Sequence, residues 1–229
     1  MHGEHYEKQW GTDGLFFTEA GRGGPLPWRV GENKLKGDAL GPVRHVHDDA
    51  DEYFYMFSGS GHFEVGGQEI VLQEGELGHV PPDTPHNFLG PASDKDACLF
   101  ALVAPNFADN KWRLDDFRPG SEQLRMTVAT PFKDAELPGG KNLAAEALTL
   151  SQDQAPISVT PKGRESLYLV VDGALDVALF GGLSGTLEKG TYLHVRDGVN
   201  HQLSTPSTCR VLRMDCKWVE WVGVPLAGK

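Results

Sequence analysis

Three histidines and one glutamate in the first half of the chain have types and spacings suited to binding a metal ion. His45 and His47 are two residues apart, so on a β-strand their imidazoles leave the same face. Glu52 follows five positions later, and His86 lies farther along the chain. Imidazole nitrogens with one carboxylate oxygen suit Fe, Mn, Ni, Co or Zn, and four protein ligands leave two positions of an octahedral ion open. We therefore expect a mononuclear metal site.

The composition favours strands and turns over long helices. The 229 residues include 28 glycines and 15 prolines, with short apolar runs between them. A chain of this length can form one large domain or two small ones. The formal net charge is −11 and no dense Lys/Arg cluster occurs, so we expect neither nucleic acid nor an anionic membrane as a partner.

The cysteines and the first residues predict a cytoplasmic protein. No apolar run is long enough to span a bilayer, and the first residues lack the basic-then-apolar order of a secretory signal. Cys98, Cys209 and Cys216 are odd in number and form no CxxC pair. We expect all three thiols to be reduced.

The second half of the chain repeats the pattern of the first. In each half an apolar strand ends in a glycine, and these two residues, Gly59 and Gly173, are 114 positions apart. A histidine that follows another glycine by eleven residues also recurs, and the two histidines, His86 and His201, are 115 positions apart. Two landmarks with nearly the same offset predict a duplicated unit.

Turn residues divide the first unit into short strands. We predict strands at about 41–47, 52–57, 62–65, 69–72, 78–80, 86–89 and 98–103. Short antiparallel strands at this spacing fit a double-sheet barrel of the jelly-roll type. For the whole chain we expect an N-terminal arm over 1–37, a first barrel over 38–105, a linker over 106–140 and a second barrel over 141–229.

The residues around the candidate ligands resemble the two sequence motifs of the cupin superfamily. The first motif is roughly G-x5-H-x-H-x3/4-E-x6-G; its leading glycine is displaced here to Gly41, and the other positions match at His45, His47, Glu52 and Gly59. The second is roughly G-x5-P-x-G-x2-H-x3-N and matches at Gly75, Pro81 and His86. Asp83 stands where its glycine belongs, and Gly90 stands where its asparagine belongs.

With the internal duplication, this resemblance implies an all-β bicupin of two tandem jelly-roll (double-stranded β-helix) barrels. It also implies that the metal ligands are His45, His47, Glu52 and His86. The resemblance is close over residues 40–105 and weaker over 155–215.

The second unit has lost most of the candidate ligands. The residues aligned with His45 and His47 are Val159 or Thr160 and Pro161 or Lys162. Ser166 aligns with Glu52, although Glu165 is only one residue away, and His201 is retained. One imidazole and at most one carboxylate do not hold a catalytic metal, so we expect a degenerate, structural barrel. An empty ligand pocket is the alternative.

Strand alternation predicts which side chains accompany the ligands. If Glu52 points into the barrel, Phe54 and Met56 do so as well, whereas Tyr53 and Tyr55 point outward. By the same argument, the predicted substrate pocket is lined by Val43, Phe54, Met56 and Phe88. Such an apolar chamber is typical of small-molecule sites, although packing in the barrel core is the alternative role for each of these side chains.

Other polar residues carry weaker signals. His62 and Glu64 share one face of a strand, and either a pocket role or a solvated position fits them. His79 and His194 have no feature that distinguishes them from surface residues. No nucleophile elbow, P-loop or dinucleotide fingerprint occurs, so covalent serine chemistry and nucleotide cofactors have no support.

Three functions fit these observations. The first is a non-haem Fe(II) dioxygenase acting on a small enol, phenolic or dicarbonyl substrate, with Glu52 as a ligand or a general base. The second is an isomerase, lyase, cyclase or decarboxylase in which Mn, Ni, Co or Zn polarises a carbonyl group. The third is a non-catalytic binding or storage protein. The sequence leaves the substrate open, and the chain could act as a monomer or a homodimer.

Overall fold

The part of the protein that the structure describes consists of antiparallel β-strands joined by turns. A computed structural model describes residues 44–47, 50–93, 97–104 and 125–217, and the backbone of three strands nearer the N-terminus. Among these residues there is no helix, and so none long and apolar enough to cross a bilayer. The strands are β1 (Glu7–Gln9), β2 (Leu15–Thr18), β3 (Arg29–Leu35), β4 (Asp51–Ser58), β5 (Ser60–Val65), β6 (Gln68–Gln73), β7 (Leu77–Val80), β8 (His86–Pro91), β9 (Ala97–Ala104), β10 (Thr127–Ala129), β11 (Leu143–Leu150), β12 (Ile157–Val159), β13 (Arg164–Asp172), β14 (Ala174–Leu179), β15 (Ser184–Glu188), β16 (Tyr192–Val195), β17 (His201–Ser204) and β18 (Cys209–Lys217).

The first barrel is formed by a seven-stranded sheet and a three-stranded sheet. Their strand orders are β1-β2-β3-β9-β4-β7-β10 and β6-β5-β8. Alternate residues of the facing strands point into the space between the sheets. Apolar side chains from both sheets, among them Phe54, Phe63 and Phe88, fill that space as one buried cluster.

The second barrel repeats this arrangement. Its sheets have the orders β11-β18-β13-β16 and β12-β17-β14-β15, and a separate apolar cluster lies between them. The order β3-β9-β4-β7 of the first barrel corresponds to β11-β18-β13-β16. Turn contacts recur too: Gly75 N–H donates to Met56 O at 2.8 Å, and Gly190 N–H donates to Val170 O at 2.8 Å. The predicted all-β fold of two tandem jelly rolls is confirmed.

Six of the seven strands predicted for the first unit lie within two residues of the observed bounds. The exception is 41–47, where His45 forms only an isolated bridge with His86, and 41–43 lie outside the described residues. β3, in the segment predicted to be an arm, is hydrogen-bonded to β9. β10, in the predicted linker, is hydrogen-bonded to β7.

The two barrels pack against each other through the outer face of the seven-stranded sheet and the outer face of the sheet β11-β18-β13-β16. Tyr53 and Tyr55 of β4 belong to the same buried cluster as Leu167 and Leu169 of β13, together with further apolar residues of β9 and β18. The two tyrosines do point away from the barrel interior, as predicted. The second barrel, rather than solvent, covers them.

Candidate metal centre

The structure brings the four predicted ligands together. One donor atom from each of His45, His47, Glu52 and His86 lies within 4.8 Å of the other three, and we call these four residues the metal-binding cluster. The imidazole centroids are 4.2 Å apart for His45 and His86, 4.9 Å for His45 and His47, and 5.3 Å for His47 and His86. All four side chains are buried, with exposures between 2% and 6%.

Backbone hydrogen bonds hold the histidines in place. His45 N–H donates to His86 O at 3.0 Å, and His86 N–H donates to His45 O at 2.9 Å. Two residues along, His47 O accepts from the N–H of Asp83 at 2.8 Å. The short segment is therefore bound at His45 to the first residue of β8 and at His47 to the turn that precedes β8.

That turn requires a left-handed residue at Asp83. Its φ is 61°, a conformation that glycine adopts freely and that aspartate tolerates better than most residues. The corresponding residue of the second barrel is Gly198, with φ 75°, whose N–H donates to Pro161 O at 2.9 Å. The departure from the motif at Asp83 therefore preserves the turn.

Glu52 enters the cluster from the middle of the large sheet. It lies on β4 between Val80 of β7 and Val103 of β9. Its Oε2 is 2.6 Å from Nε2 of His86 and 3.2 Å from Nε2 of His47. Burial by itself would raise the pKa of Glu52, but attraction to His86 and hydrogen bonds from both imidazoles hold this pKa well below its ordinary value. Glu52 is therefore an ionised carboxylate at neutral pH.

A backbone carbonyl orients His86. Its Nδ1–H donates to Thr84 O at 2.8 Å, and Nε2 is thereby directed toward Glu52. Metal-binding histidines commonly donate their second ring N–H in this way, which sets the tautomer and the ring orientation.

The converging donor set fits a divalent transition metal. Lone pairs of imidazole nitrogens and of a carboxylate repel one another unless protons or a shared cation lie between them. Three nitrogens and one oxygen are a ligand set of the kind that first-row transition metals favour. The donors belong to strands and turns whose backbone is itself hydrogen-bonded, so little reorganisation is needed for them to act together.

Of the four residues predicted to line a substrate pocket, one lies beside the metal-binding cluster and two lie in the apolar core. The Phe54 ring lies 6.3 Å from that of His86, so it borders the metal-binding cluster. Met56 and Phe88 belong to the buried apolar cluster, and a Cβ at Gly61 would come within 3.1 Å of Met56 and 2.9 Å of Phe88. Val43 lies outside the described residues. Their role in binding a substrate stays a prediction.

In the second barrel, the positions of the first two ligands are occupied by residues that cannot bind a metal through their side chains. Val159 pairs with His201 as His45 pairs with His86, and Pro161 accepts from Gly198 as His47 accepts from Asp83. The sequence left Thr160 and Lys162 as alternatives, and the hydrogen-bonding pattern excludes both. Within 44–47, 50–93, 97–104 and 125–217, the first-barrel cluster is the one group suited to a metal.

Hydrogen bonds within the protein satisfy the retained histidine. His201 Nδ1–H donates to Val199 O at 3.0 Å, and its Nε2 accepts from the Tyr168 hydroxyl at 2.9 Å. Burial lowers the pKa of His201, so the ring is neutral at pH 7. Ser166, in the place of Glu52, donates to Asp215 at 2.5 Å, and Arg213 is bound to the same carboxylate.

The structure corrects the interpretation of His79 as a surface residue. His79 is buried, and its Nε2 lies 2.8 Å from Oδ1 of Asp51, which is fully buried. In the second barrel, His194 Nε2 lies 2.9 Å from the buried carboxylate of Glu165. Glu165 therefore corresponds to Asp51 and points away from the barrel interior, so it is not a remnant of the metal ligand.

A signal for these two pairs was present in the sequence. Asp51 and Glu165 are 114 positions apart, and His79 and His194 are 115 apart, the same offsets as the landmarks of the repeat. Extending the comparison of the two units to all acidic residues and histidines would have identified both pairs.

Comparison with known proteins agrees with this architecture. Residues 34–103 match the family model of the cupin domain. The sequence has no match among curated proteins. The structure is similar to that of protein Ylba from E. coli, with a TM-score of 0.70 and 14% identity over 94% of this chain and 89% of that one.

Two structures of enzymes show the same likeness. For an oxalate decarboxylase variant from B. subtilis the TM-score is 0.61, with 14% identity over 93% of this chain and 75% of that one. For a salicylate 1,2-dioxygenase from Pseudaminobacter salicylatoxidans it is 0.62, with 16% identity over 84% and 71%. Similarities at such low identity show the fold. Residues 34–103 thus match a cupin domain, and the fold of the chain is that of a bicupin, with the metal-binding cluster in its first barrel.

Proposed function

We propose that the protein is a metal-dependent cupin enzyme with one divalent transition metal ion bound by His45, His47, Glu52 and His86. More specifically, we propose a non-haem Fe(II) dioxygenase that acts on a small enol, phenolic or dicarbonyl compound. The observation that carries the proposal is the convergence of these four donors within 4.8 Å in a buried part of the first barrel. Fe(II) is the favoured ion because this donor set leaves coordination positions open for two further ligands.

The ion would supply redox chemistry and the polarisation of a substrate oxygen. The residues of the chain supply geometry and exclude water. The Thr84 carbonyl accepts from Nδ1–H of His86 and so orients that ring, and the apolar Phe54 ring lies 6.3 Å from it. Glu52 is ionised and can serve as a ligand or accept a substrate proton. In a buried site the electrostatic effect of each group is stronger than in water.

A redox-neutral reaction is the second candidate. Its support is that the structure of an oxalate decarboxylase resembles this chain about as closely as that of a salicylate 1,2-dioxygenase does, with TM-scores of 0.61 and 0.62. In this alternative an ion held by the same four residues would polarise a carbonyl group and keep its own oxidation state, so Mn, Ni, Co or Zn would serve. Both candidates take a small organic molecule as the partner, with the chain acting as a monomer or a homodimer.

Metal analysis and oxygen uptake test the proposal. Protein purified without chelator is expected to contain about one transition metal per chain. The Fe(II)-loaded protein is expected to consume oxygen in step with product when small enols and phenolics are screened. Equal product under strict anaerobiosis, or full activity with Zn, would contradict the dioxygenase and favour the redox-neutral candidate. Protein that takes up none of these metals at its cluster would contradict both.

A further inference from the structure

The segment 138–142, which leads into β11 of the second barrel, contacts β4 on both sides of Glu52. Asp51 Oδ2 accepts the backbone N–H of Asn142 at 2.7 Å. Tyr53 donates its hydroxyl to Pro138 O at 2.6 Å. The residue before Glu52 and the residue after it are therefore both bound, on the outer face of the sheet, to a segment about 90 positions away in the sequence.

Asp51 is held by a second partner within the first barrel. Its Oδ1 lies 2.8 Å from Nε2 of His79, which sits on β7 opposite Tyr53. Both oxygens of a fully buried carboxylate thus have partners. Losing either partner would leave a buried carboxylate oxygen without a hydrogen bond, which is unfavourable, so Asp51 has little freedom to move.

Gly140 allows the segment 138–142 to lie close to the Asp51 side chain. A Cβ at Gly140 would overlap the Asp51 carboxylate and lie 2.7 Å from Nε2 of His79. Gly140 also donates its N–H to Leu143 O at 2.8 Å, which fixes the segment just before β11 begins. The second barrel thus packs against the Asp51 carboxylate without a side chain between them.

Strand geometry transmits this constraint to the metal-binding cluster. Successive side chains of β4 alternate, so Asp51 and Tyr53 face the second barrel while Glu52 faces the three histidines. A metal site functions when its ligands are held to within about 0.5 Å of the required positions. Fixing Asp51 and Tyr53 fixes the backbone from which the Glu52 side chain extends.

We propose that Asp51 is a positioning residue for the metal centre, through which the second barrel holds Glu52 in place. The barrel without a metal site thereby contributes to metal binding in the other barrel. This inference rests on the proposed role of Glu52 as a ligand. It assigns a function to the degenerate barrel that goes beyond covering an apolar face.

The duplication provides a matched control. Glu165 is as buried as Asp51, pairs with His194 as Asp51 pairs with His79, and faces the same interface. Glu165 is paired across the sheet with Cys216, which belongs to the apolar cluster shared by the two barrels. The residue that follows Glu165 is Ser166, which is not a member of the metal-binding cluster.

The test compares alanine at the two positions in the full chain. Affinity for Co(II) or Mn(II) is measured by titration, the Co(II) absorption spectrum reports the geometry, and thermal unfolding of the metal-free protein reports stability. We expect Asp51→Ala to weaken metal binding by about tenfold or more and to change the spectrum. Glu165→Ala is expected to lower stability while metal affinity stays within about twofold of the wild type, since no ligand depends on it.

Asp51→Asn should restore much of the affinity. An amide can accept from the Asn142 N–H and donate to His79 in its other tautomer. Gly140→Ala and Tyr53→Phe disturb the same contact without altering Asp51, and both should weaken metal binding, even if Asp51→Ala does not fold.

Two results would overturn the inference. One is equal loss of metal affinity in Asp51→Ala and Glu165→Ala, which would indicate general destabilisation. The other is unchanged affinity in all of the Asp51, Gly140 and Tyr53 variants. Failure of the wild-type protein to bind any of these metals is a separate result: it would reject the proposed metal centre, and this inference with it.

Discussion

At the scale of single residues, the contacts of Glu52 determine the charge of the metal-binding cluster. One carboxylate oxygen lies within 3.2 Å of Nε2 of two histidines, in a site from which water is largely excluded. Charge and hydrogen bonding outweigh the cost of burying the carboxylate, and its pKa falls. The imidazoles that stabilise the ionised Glu52 carboxylate can also bind a metal cation, because their nitrogens have lone pairs available once they are deprotonated.

Replacing one imidazole should remove metal binding without unfolding the protein. We expect His47→Ala to lower metal affinity by more than about 100-fold, because removing a direct ligand costs more than the 10–100-fold typical of groups that support ligands. The measurement is metal content after dialysis, with circular dichroism to follow the fold. His62→Ala is the control, since His62 contacts the exposed Glu69 on the barrel surface. Equal metal content in the two variants would contradict the assignment.

Glu52 should make the stability of the metal-free protein depend on acid pH. Its pKa in the folded protein lies below the ordinary value of 4.5, so its stabilising contribution is present above that pH and is lost as the pH falls through the folded pKa. The difference in unfolding free energy between wild type and Glu52→Gln should therefore shrink below about pH 4.5. Denaturant unfolding at a series of pH values measures it.

Glu69→Gln controls for the general effect of removing a carboxylate. The Glu69 side chain is exposed, so its substitution should change stability little at any pH. If the two glutamine variants show the same pH dependence, Glu52 is not ionised in the way described above.

At the scale of elements, the turn before β8 decides whether the histidines meet. Asp83 has φ 61°, and its N–H donates to His47 O. Three residues later, two reciprocal backbone hydrogen bonds pair His86 with His45. Glycine is the residue that the motif has at this position. Both barrels therefore have a residue with positive φ at this position, which is Asp83 in the first barrel and Gly198 in the second.

The effect of a substitution at Asp83 on stability should depend on how well the new residue tolerates positive φ. We expect Asp83→Gly to change the unfolding free energy by less than about 1 kcal/mol. Asp83→Val should lower it by about 1–3 kcal/mol, because a β-branched residue is strained at positive φ, and metal affinity should fall as well. Chemical denaturation and metal titration measure the two effects. Asp153→Val, at an exposed turn residue without positive φ, is the control and should be tolerated.

At the scale of the whole molecule, one apolar cluster unites the barrels. Residues from β4 and β9 of the first barrel and from β13 and β18 of the second are buried in it together. Neither of the two sheets could expose this face to water without a free-energy cost proportional to its apolar area, at roughly 25 cal/mol per Å². The barrels should therefore unfold together rather than one after the other.

A cavity on the second-barrel side should consequently destabilise the first barrel. Leu169→Ala is expected to cost about 2–5 kcal/mol and to lower the unfolding midpoint of both barrels equally. Hydrogen exchange of peptides from β4 and β14 would follow each barrel separately. Leu183→Ala, at a leucine of the second barrel that is 59% exposed, should have little effect. Loss of protection in β14 alone would show that the barrels unfold independently.

The sequence by itself determined six of the seven strands predicted for the first unit and the members of the metal-binding cluster. Strand bounds followed from alternation and from glycine and proline turns, which are properties of neighbouring residues. The ligands followed from residue type and spacing, because a metal restricts its donors to few chemical groups. The loss of ligands in the second unit was visible for the same reason.

Tertiary structure alone decided which outward faces are buried and that Asp51 also contacts the segment before β11. The choice of Val159 and Pro161 over their neighbours needed the register with His201 and Gly198. The burial of Tyr53, and the pairing of Asp51 with Asn142, depend on segments more than 80 positions apart. Alternation tells which side of a sheet a residue faces, but what lies on that side depends on how the sheets pack, and local residue patterns carry no information about that.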